Sequence, residues 1–556
     1  MRAEEILVGL DPEQQEAVRA IRGPVCVIAG AGTGKTRVIT HRIAYAIAAG
    51  VTDQSKTLAL TFTARAAGEM RARLRGLGVP NAAARTFHAA ALKQLMYFWP
   101  YSFGGAFPKL LTSKAGFMSE AMGRSDTFLA PGATTLREIS SEIEWAKAGE
   151  FAPDQYAESA IAVARTLRIP NGKSDRENFA EIAKVYDAYE TLKQQERVID
   201  FEDVLLLTVG MLEEDRAVRE RIRDQYRYFT VDEYQDVSPL QQRLLNLWLG
   251  NREDICVVGD AAQTIYSFAG ATSSFLLGFT GRFPEAKVVR LTRGYRSTPE
   301  IIQIANQVLS KSASHSDQQL VSMNTHGANF ELESFTTSSA EVAHVGSRIA
   351  ELDLKSVSVA ILARTNQQLD LFERDLAARG IETQLKSAER FFDRVDVRDA
   401  MRVIRSASVI PQDENWLRDL ESVLRPFGDA DYIRALMSLA QSMHADGAPS
   451  MRAYLRELED RAEQNNPPAL PGVVLSTLHA AKGLEWDHVF LVGVNDGLLP
   501  FTSGSADATL APATLAPATL EEERRLFYVG LTRAKRQIHL STSGSPSPFL
   551  AGLIPA

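Results

Sequence analysis

Two habits of apolar spacing divide the chain: short unbroken runs read as buried strands, and residues recurring every three or four positions read as one face of a helix. The run PVCVI at 24–28 is followed by AGAGTGKT and then TRVITHRIAYAIAAG, where Ile39, Ile43 and Ile47 share a face, so the order is strand, glycine-rich loop, helix. YFTV and DICVVGD predict two further strands. Each ends in polar residues, Asp232 and Glu233 after the first and Asp260 and Gln263 after the second. Such strands describe a doubly wound parallel α/β sheet with its ligand in the crevice at the carboxyl ends. From about 99 to 198 the spacing turns helical, with Leu136, Ile139, Ile143 and Ala146 on one face and Ile182, Val185, Tyr189 and Leu192 on another. Apolar runs return in SVSVAILART, GVVLSTLH, HVFLVGV and QIHLS, which predict strands again.

At 556 residues the chain exceeds one ordinary core, so two large domains with insertions are expected. Glu4 and Glu5 interrupt the start where a signal peptide needs an apolar run, and no apolar stretch is long enough to span a bilayer, so a cytoplasmic protein is expected. Cys26 and Cys256 both sit inside apolar runs without a C-x-x-C pair, which predicts buried, inert thiols. A net charge of −8 argues mildly against a nucleic-acid partner and leaves room for a local basic groove.

The loop fits G-x-x-x-x-G-K-[ST], with Gly34, Lys35 and Thr36 in place and Ala29 at the first glycine position. Amides of a glycine-rich turn converge at a helix N-terminus, where the macrodipole favours anions, so Ala29, Gly30, Ala31, Gly32, Thr33 and Gly34 form a phosphate cradle. Lys35 reaches the outer phosphates and Thr36 ligates the metal, so a nucleotide's phosphates with Mg2+ are the expected ligands. Asp232 and Glu233 are the pair a hydrolase needs to anchor Mg2+ and to orient or deprotonate water, and Gln263 can sense that water and the terminal phosphate. A solvated acidic turn is the bland alternative for the acidic pair.

In order from Leu10 to about Lys535, the segments LDPEQQEAV, AGAGTGKTR, LTFTARAAGEM, TFHAA, VDEYQD, GDAAQTIYSFAGA, LTRGYRST, STLHAAKGLEW and EEERRLFYVGLTRAK resemble the motif set of the UvrD/Rep/PcrA family of superfamily 1 DNA helicases. TFHAAALKQLMYFWP and the Ser-Phe-Ala of IYSFAGA look most like an actinobacterial UvrD-like branch. The resemblance implies an α/β fold of two RecA-like P-loop domains, each with a parallel sheet flanked by helices and interrupted by a mainly helical insertion. The first takes 1–98 and 199–297 around an insertion at 99–198; the second takes 298–398 and 470–556 around a reduced accessory insertion at 399–469. It further implies that Gln14 reads adenine, Arg37 and Tyr295 sandwich it, and Glu485 touches the ribose. Arg296 and Arg533 would arrive from the second domain to neutralise charge during hydrolysis. An alternative for both arginines is pairing with the acidic run Glu521, Glu522 and Glu523.

Single-stranded DNA is held without sequence preference by a basic groove and aromatic platforms. Phe62, Thr63, His88, Tyr266, Phe268 and His479 resemble the family's DNA contacts, although Phe62 and Phe268 alone would more often be core residues. Arg71, Arg73 and Arg75 lie on a helix whose buried face is Ala67, Met70, Leu74 and Leu77, with phosphate contact and a solvated face both open. The cluster YFWPYSF at 97–103 is read as packing where the insertion begins. The implied activity is ATP-dependent translocation on single-stranded DNA with 3′-to-5′ unwinding at single-strand/duplex junctions, in DNA repair or replication restart. Repair proteins are the implied partners, with the protein near the nucleoid as a monomer or weak dimer.

Some features depart from better-known members. Phe268 and Ala269 stand where Trp and Arg are frequent, so one stacking platform is smaller and one cation is missing. The insertion at 399–469 is shorter than the family's accessory domain, and no nuclease, helicase-and-RNaseD C-terminal domain or four-cysteine segment is expected after Arg533. ATLAPATLAPATL at 508–520 reads as a mobile surface loop. These departures keep open an ATP-gated single-stranded DNA clamp or recruiting factor with little unwinding of its own. A small-molecule phosphotransferase would need an acceptor-binding insert with its own polar cluster, and the sequence shows none.

Overall fold

The computed structural model describes residues 2–553 except 112, 168, 170, 313–318, 386–390, 409–415, 429, 446–449, 464–467, 469–471 and 503–515. Among these residues, β1 (Val25–Ala29), β2 (Thr57–Thr61), β3 (Ala83–Thr86), β4 (Tyr228–Val231), β5 (Ile255–Gly259) and β6 (Lys287–Leu291) form a parallel sheet in the order β3-β2-β4-β5-β1-β6. Strand β1 lies between two partners, with Cys26 opposite Val257 on one side and Val288 on the other. Its residues are β-branched or small and helices cover both faces, the usual state of an all-parallel sheet. Because β4, β5 and β1 are neighbours, the polar loops that follow them meet at one carboxyl edge.

A second parallel sheet contains β7 (Glu331–Ser334), β8 (Val359–Ala363), β9 (Thr383–Leu385), β10 (Val473–Thr477), β11 (Trp486–Leu491) and β12 (Ala534–Thr542) in the order β7-β12-β11-β8-β10-β9. The two lobes are not separate beads. Ala31 and Ile265 of the first lobe share one apolar cluster with Ile301, Leu491, Phe527 and Leu531 of the second.

Each sheet carries a helical insertion. Helices Ala115–Arg124, Ala133–Ala148, Pro153–Ala162 and Asp175–Glu196 pack around Met118, Ile139, Ile143, Ile182, Val185 and Tyr189, on the faces that the spacing predicts. In the second lobe, Val395–Ala407, Trp416–Leu424, Asp431–Ala445 and Met451–Glu463 close around Trp416, Leu420, Leu436 and Tyr454, and this core reaches back to Phe391 and Phe392.

Both cysteines are buried and free, and burial pushes the Cys26 thiol up to about 12. No helix among the described residues is long and apolar enough to cross a membrane. Of the 97–103 cluster, Phe98 is buried and Trp99 sits between Phe103 (4.4 Å) and Phe107 (5.1 Å), whereas Tyr97 and Tyr101 are solvent-exposed. The packing expected there therefore holds for part of the cluster. In the ATLAP repeat, 508–515 lie outside the described residues. Residues 517–520 open the helix Pro517–Leu531 instead of continuing a loop, since proline at the first helical position presets the backbone angle.

Candidate nucleotide and nucleic-acid site

The loop after β1 turns through Gly32 and Gly34, both with positive φ (75° and 87°), and Gly34 caps the helix Lys35–Ala48. A Cβ at Gly32 would come within 2.8 Å of the Arg296 Cβ, and one at Gly34 within 2.9 Å of Gln14 Nε2. Glycine is needed here for approach as well as for angle. Buried Gln14 donates to the Thr33 carbonyl (3.0 Å), Thr33 Oγ1 donates to the Gly30 carbonyl (2.9 Å), and the Tyr295 amide donates to the Gly32 carbonyl (2.9 Å). The cradle is braced by both the helix Pro12–Arg19 and the second lobe, which taken from the end of β6 at Leu291, rather than from 298, includes Tyr295 and Arg296.

Lys35 Nζ is buried without a hydrogen-bond partner, 3.9 Å from Glu233 Oε1. A buried ammonium group facing converging amides fits a polyanion such as a nucleotide triphosphate. Asp232 and Glu233 follow β4. Glu233 adopts a left-handed conformation (φ 51°), a cost non-glycine residues bear mainly where geometry serves function. Burial, then the neighbouring Glu233, pushes Asp232 up to about 7. Burial would raise Glu233 too, but Lys35 and then Lys482 outweigh it and hold the group at about 2. Burial thus disfavours charge on Asp232, while the lysines keep Glu233 a carboxylate; a cation beside Asp232 would offset that burial. A divalent ion matches this donor set, with Thr36 in the first turn of the adjacent helix. Gln263 donates to Asp260 (2.6 Å), and Gln235 links the two loops by donating to Glu233 and accepting from the Asp260 amide (3.0 Å).

The second lobe reaches into this site through three cations. Arg296 bonds Glu485 through Nε (2.6 Å) and donates to the Thr532 carbonyl (3.1 Å), while its Cβ abuts Gly32. Arg533 is buried, donating to the carbonyls of Val529 (3.0 Å) and Leu484 (3.1 Å); burial, then Arg296, draws it down to about 9, so it stays charged at neutral pH. Lys482, which the sequence reading does not single out within STLHAAKGLEW, crosses to Asp236 (2.5 Å) and the Gln263 carbonyl (2.6 Å). The acidic run at 521–523 is used elsewhere: Glu523 binds Arg364, Glu522 takes the Ser267 amide and hydroxyl, and Glu521 faces Arg524. Pairing of Arg296 or Arg533 with that run is not what the structure shows.

Arg37 donates to the Gly9 carbonyl (3.0 Å) and the Tyr295 hydroxyl to Asp11 (2.6 Å), which gathers Gln14, Arg37 and Tyr295 on one side of the cradle. Glu485 is engaged by Arg296 and Lys535 (3.0 Å), so a ribose would compete with those cations for it.

Beyond Gln263 the loop carries the aromatic residues. Phe62, 41% exposed, stacks on Tyr266 (5.3 Å, 12°); Phe268, 46% exposed, meets Tyr266 and His479 edge-on (6.1 and 5.8 Å). The Tyr266 hydroxyl donates to the His479 carbonyl (3.1 Å), and Lys482 lies 4.9 Å from the Tyr266 ring. Neither phenylalanine is a core residue. His88 pairs instead with Phe201 (6.3 Å), a half-exposed aromatic that no motif marks. Burial, then Lys114, pushes His88 down to about 4, so it offers a neutral ring rather than a cation. The Thr63 hydroxyl caps the helix Ala64–Gly76. Arg71 is tied to the Ala84 carbonyl (2.8 Å), whereas Arg73 and Arg75 are exposed, Arg75 lying 3.6 Å from Glu457, so the solvated face holds for these two.

Two parallel-sheet lobes, a phosphate cradle between them and cations entering from the far lobe define a P-loop enzyme of the two-lobed class. A family model for the UvrD/REP helicase N-terminal domain matches residues 10–284, and one for the UvrD-like helicase C-terminal domain matches 289–444 and 430–545. The chain belongs to the UvrD-like helicase family, and its two lobes are that family's RecA-like domains. ATP-dependent DNA helicase UvrD2 of Mycobacterium tuberculosis (strain ATCC 25618 / H37Rv) is 42% identical over 591 residues, covering 99% of this chain and 82% of that protein. The UvrD2 of Mycobacterium bovis matches to the same extent. PcrA of Bacillus subtilis (strain 168), named an ATP-dependent DNA helicase, is 26% identical over 640 residues, with 97% and 83% covered. The mycobacterial likeness agrees with the actinobacterial branch expected from TFHAAALKQLMYFWP.

Proposed function

We propose that the chain is a DNA-dependent ATPase that steps along single-stranded DNA and separates duplexes 3′-to-5′, serving DNA repair or replication restart. The observation that supports this most is that Lys482 crosses from the second lobe to Asp236 and the Gln263 carbonyl, with the Arg296 Cβ set against Gly32 and the charge of Arg533 felt at Glu233. Closure of the cleft and hydrolysis then share the same residues. Lys35 and the loop amides hold the ATP phosphates; Gln14, Arg37 and Tyr295 hold the base, and Glu485 the ribose. Thr36 and Asp232 hold Mg2+, which supplies charge neutralisation on the phosphate oxygens when bound. Glu233, kept ionised by Lys35 and Lys482, orients the attacking water and receives its proton, with Gln263 fixing the water from the other side. Arg296 and Arg533 meet the charge that grows on the leaving and equatorial oxygens.

Phe62, Tyr266, Phe268 and His479, with His88 and Phe201 beyond them and Thr63 at the helix start, form the strand-binding surface. Residues 263–268 run from Gln263 to Phe268, so base stacking and water positioning are carried by one short backbone segment.

Glu233→Gln is expected to lower DNA-stimulated turnover by roughly 10²–10⁴-fold while nucleotide binding persists. Unchanged turnover would overturn the assignment. Duplexes with a 3′ tail should open and those with a 5′ tail should not. The compact accessory core favours the clamp as the second reading, and arrival times independent of oligonucleotide length would establish it.

A further inference from the structure

We propose that Arg165 is a positioning residue through which the helical insertion of the first lobe fixes the Phe268 loop, and so sets how strongly strand binding is felt at the nucleotide. The inference rests on the strand-binding reading above. Arg165 Nε and Nη2 grip both carboxylate oxygens of Glu142 (2.5–3.1 Å), and the guanidinium lies 4.3 Å from the Trp145 ring. Glu142 is itself buried and also accepts from the Tyr156 hydroxyl (2.8 Å). With the plane so fixed, Nη2 also donates to the Phe268 carbonyl (3.2 Å). Two residues on, Gly270 abuts the same insertion helix; a Cβ there would approach the Ala148 Cβ to 2.8 Å. The other flank of the loop belongs to the second lobe, through Glu522 on Ser267 and the His479 carbonyl on Tyr266. The loop is therefore held between two bodies, and its insertion side combines the close approach of Gly270 with one guanidinium that has a two-toothed pair, a stacked face and a further donor. Lysine, with a compact ammonium on a flexible stem, cannot keep all three.

The test uses the full chain, ATP turnover and oligo(dT). Arg165→Lys is expected to raise the oligo(dT) concentration for half-maximal stimulation about three- to tenfold, a fraction of one stacked base, with saturated turnover and melting midpoint near wild type. The double variant Arg165→Met with Glu142→Gln, which leaves no orphaned charge, should move the same way. In a Phe268→Ala background Arg165→Lys should add nothing, because both act on one contact. Half-saturation unchanged in both Arg165 variants, effects that multiply independently of Phe268→Ala, or a shift that only tracks a lower melting midpoint would each overturn the proposal. A wild type indifferent to oligo(dT) would remove the strand-binding reading itself; a responsive wild type weakened by Phe268→Ala but not by Arg165→Lys would remove this inference alone.

Discussion

The two helical insertions are attached by different physics. The first is joined to its lobe by a buried ionic knot: Lys147 and Lys193 each bind Asp200 and Asp203 at 2.6–3.0 Å, both reach Glu190, and the Tyr189 hydroxyl adds a bond to Asp200. The three carboxylates are close enough for a metal, but the two ammonium groups already bridge them. The second insertion has its own apolar core, and the ion pairs that lead out of it lie nearer the surface: Arg434 with Glu382 of its own lobe (2.8 Å) and Glu457 with Arg75 of the first lobe (3.6 Å). Buried charge pairs add little net stability but penalise every arrangement that separates them, so they suit an insertion whose orientation matters. An apolar core holds its own helices together without dictating how the body sits on its neighbour.

The largest expected effect on DNA-stimulated turnover comes from cutting the knot. Lys147→Met leaves three clustered carboxylates to Lys193 alone and should cost about 3–5 kcal/mol of stability, with loss of DNA stimulation; denaturant titration beside turnover assays tests it, and retained stimulation would break the contrast. Acid should act on the same knot. Burial raises Asp200, but Lys147 and Lys193 outweigh that and hold it well below the usual carboxylate range. A depressed folded value means the stabilisation is complete above the unfolded value, about 3.9, and is lost as pH falls further. Near-ultraviolet circular dichroism should therefore be flat down to about pH 4 and change below it, more steeply in wild type than in Lys147→Met. A smaller effect on turnover is expected from Trp416→Ala, which empties the accessory core where Trp416 stacks on Tyr454 (5.9 Å). It should cost about 3–5 kcal/mol locally, seen as an earlier melting phase, with DNA-stimulated turnover kept within about twofold. Arg75→Ala should be smallest, below about 1 kcal/mol and silent in turnover; a marked gain in unwinding would show the pair to be a restraint.

Much of the nucleotide end was legible because local chain order builds it. Lys35 and Thr36 open a helix directly behind a buried strand, and Asp232, Glu233 and Gln263 lie at or just beyond the ends of the strands beside it, so strand, loop and helix signals suffice. The aromatic surface was half legible: Phe62, Tyr266 and Phe268 follow such strands, but Phe201 stands at an ordinary helix start and only the fold sets it beside His88. Lys482 was hidden in a motif whose histidine and glutamate drew the reading, since its partner Asp236 lies 246 residues earlier.

By itself the sequence determined the strands, the phosphate loop, the helical character of the first insertion and the family, because short-range periodicity and ordered motifs carry them. Only tertiary structure decided that Arg296 rests on Glu485, that Arg165 reaches a carbonyl 103 residues away, and that one insertion is knotted to its lobe by buried charge while the other joins its lobe through a partly exposed pair. Such contacts depend on how rigid elements settle against one another, and no local spacing in the chain encodes that outcome.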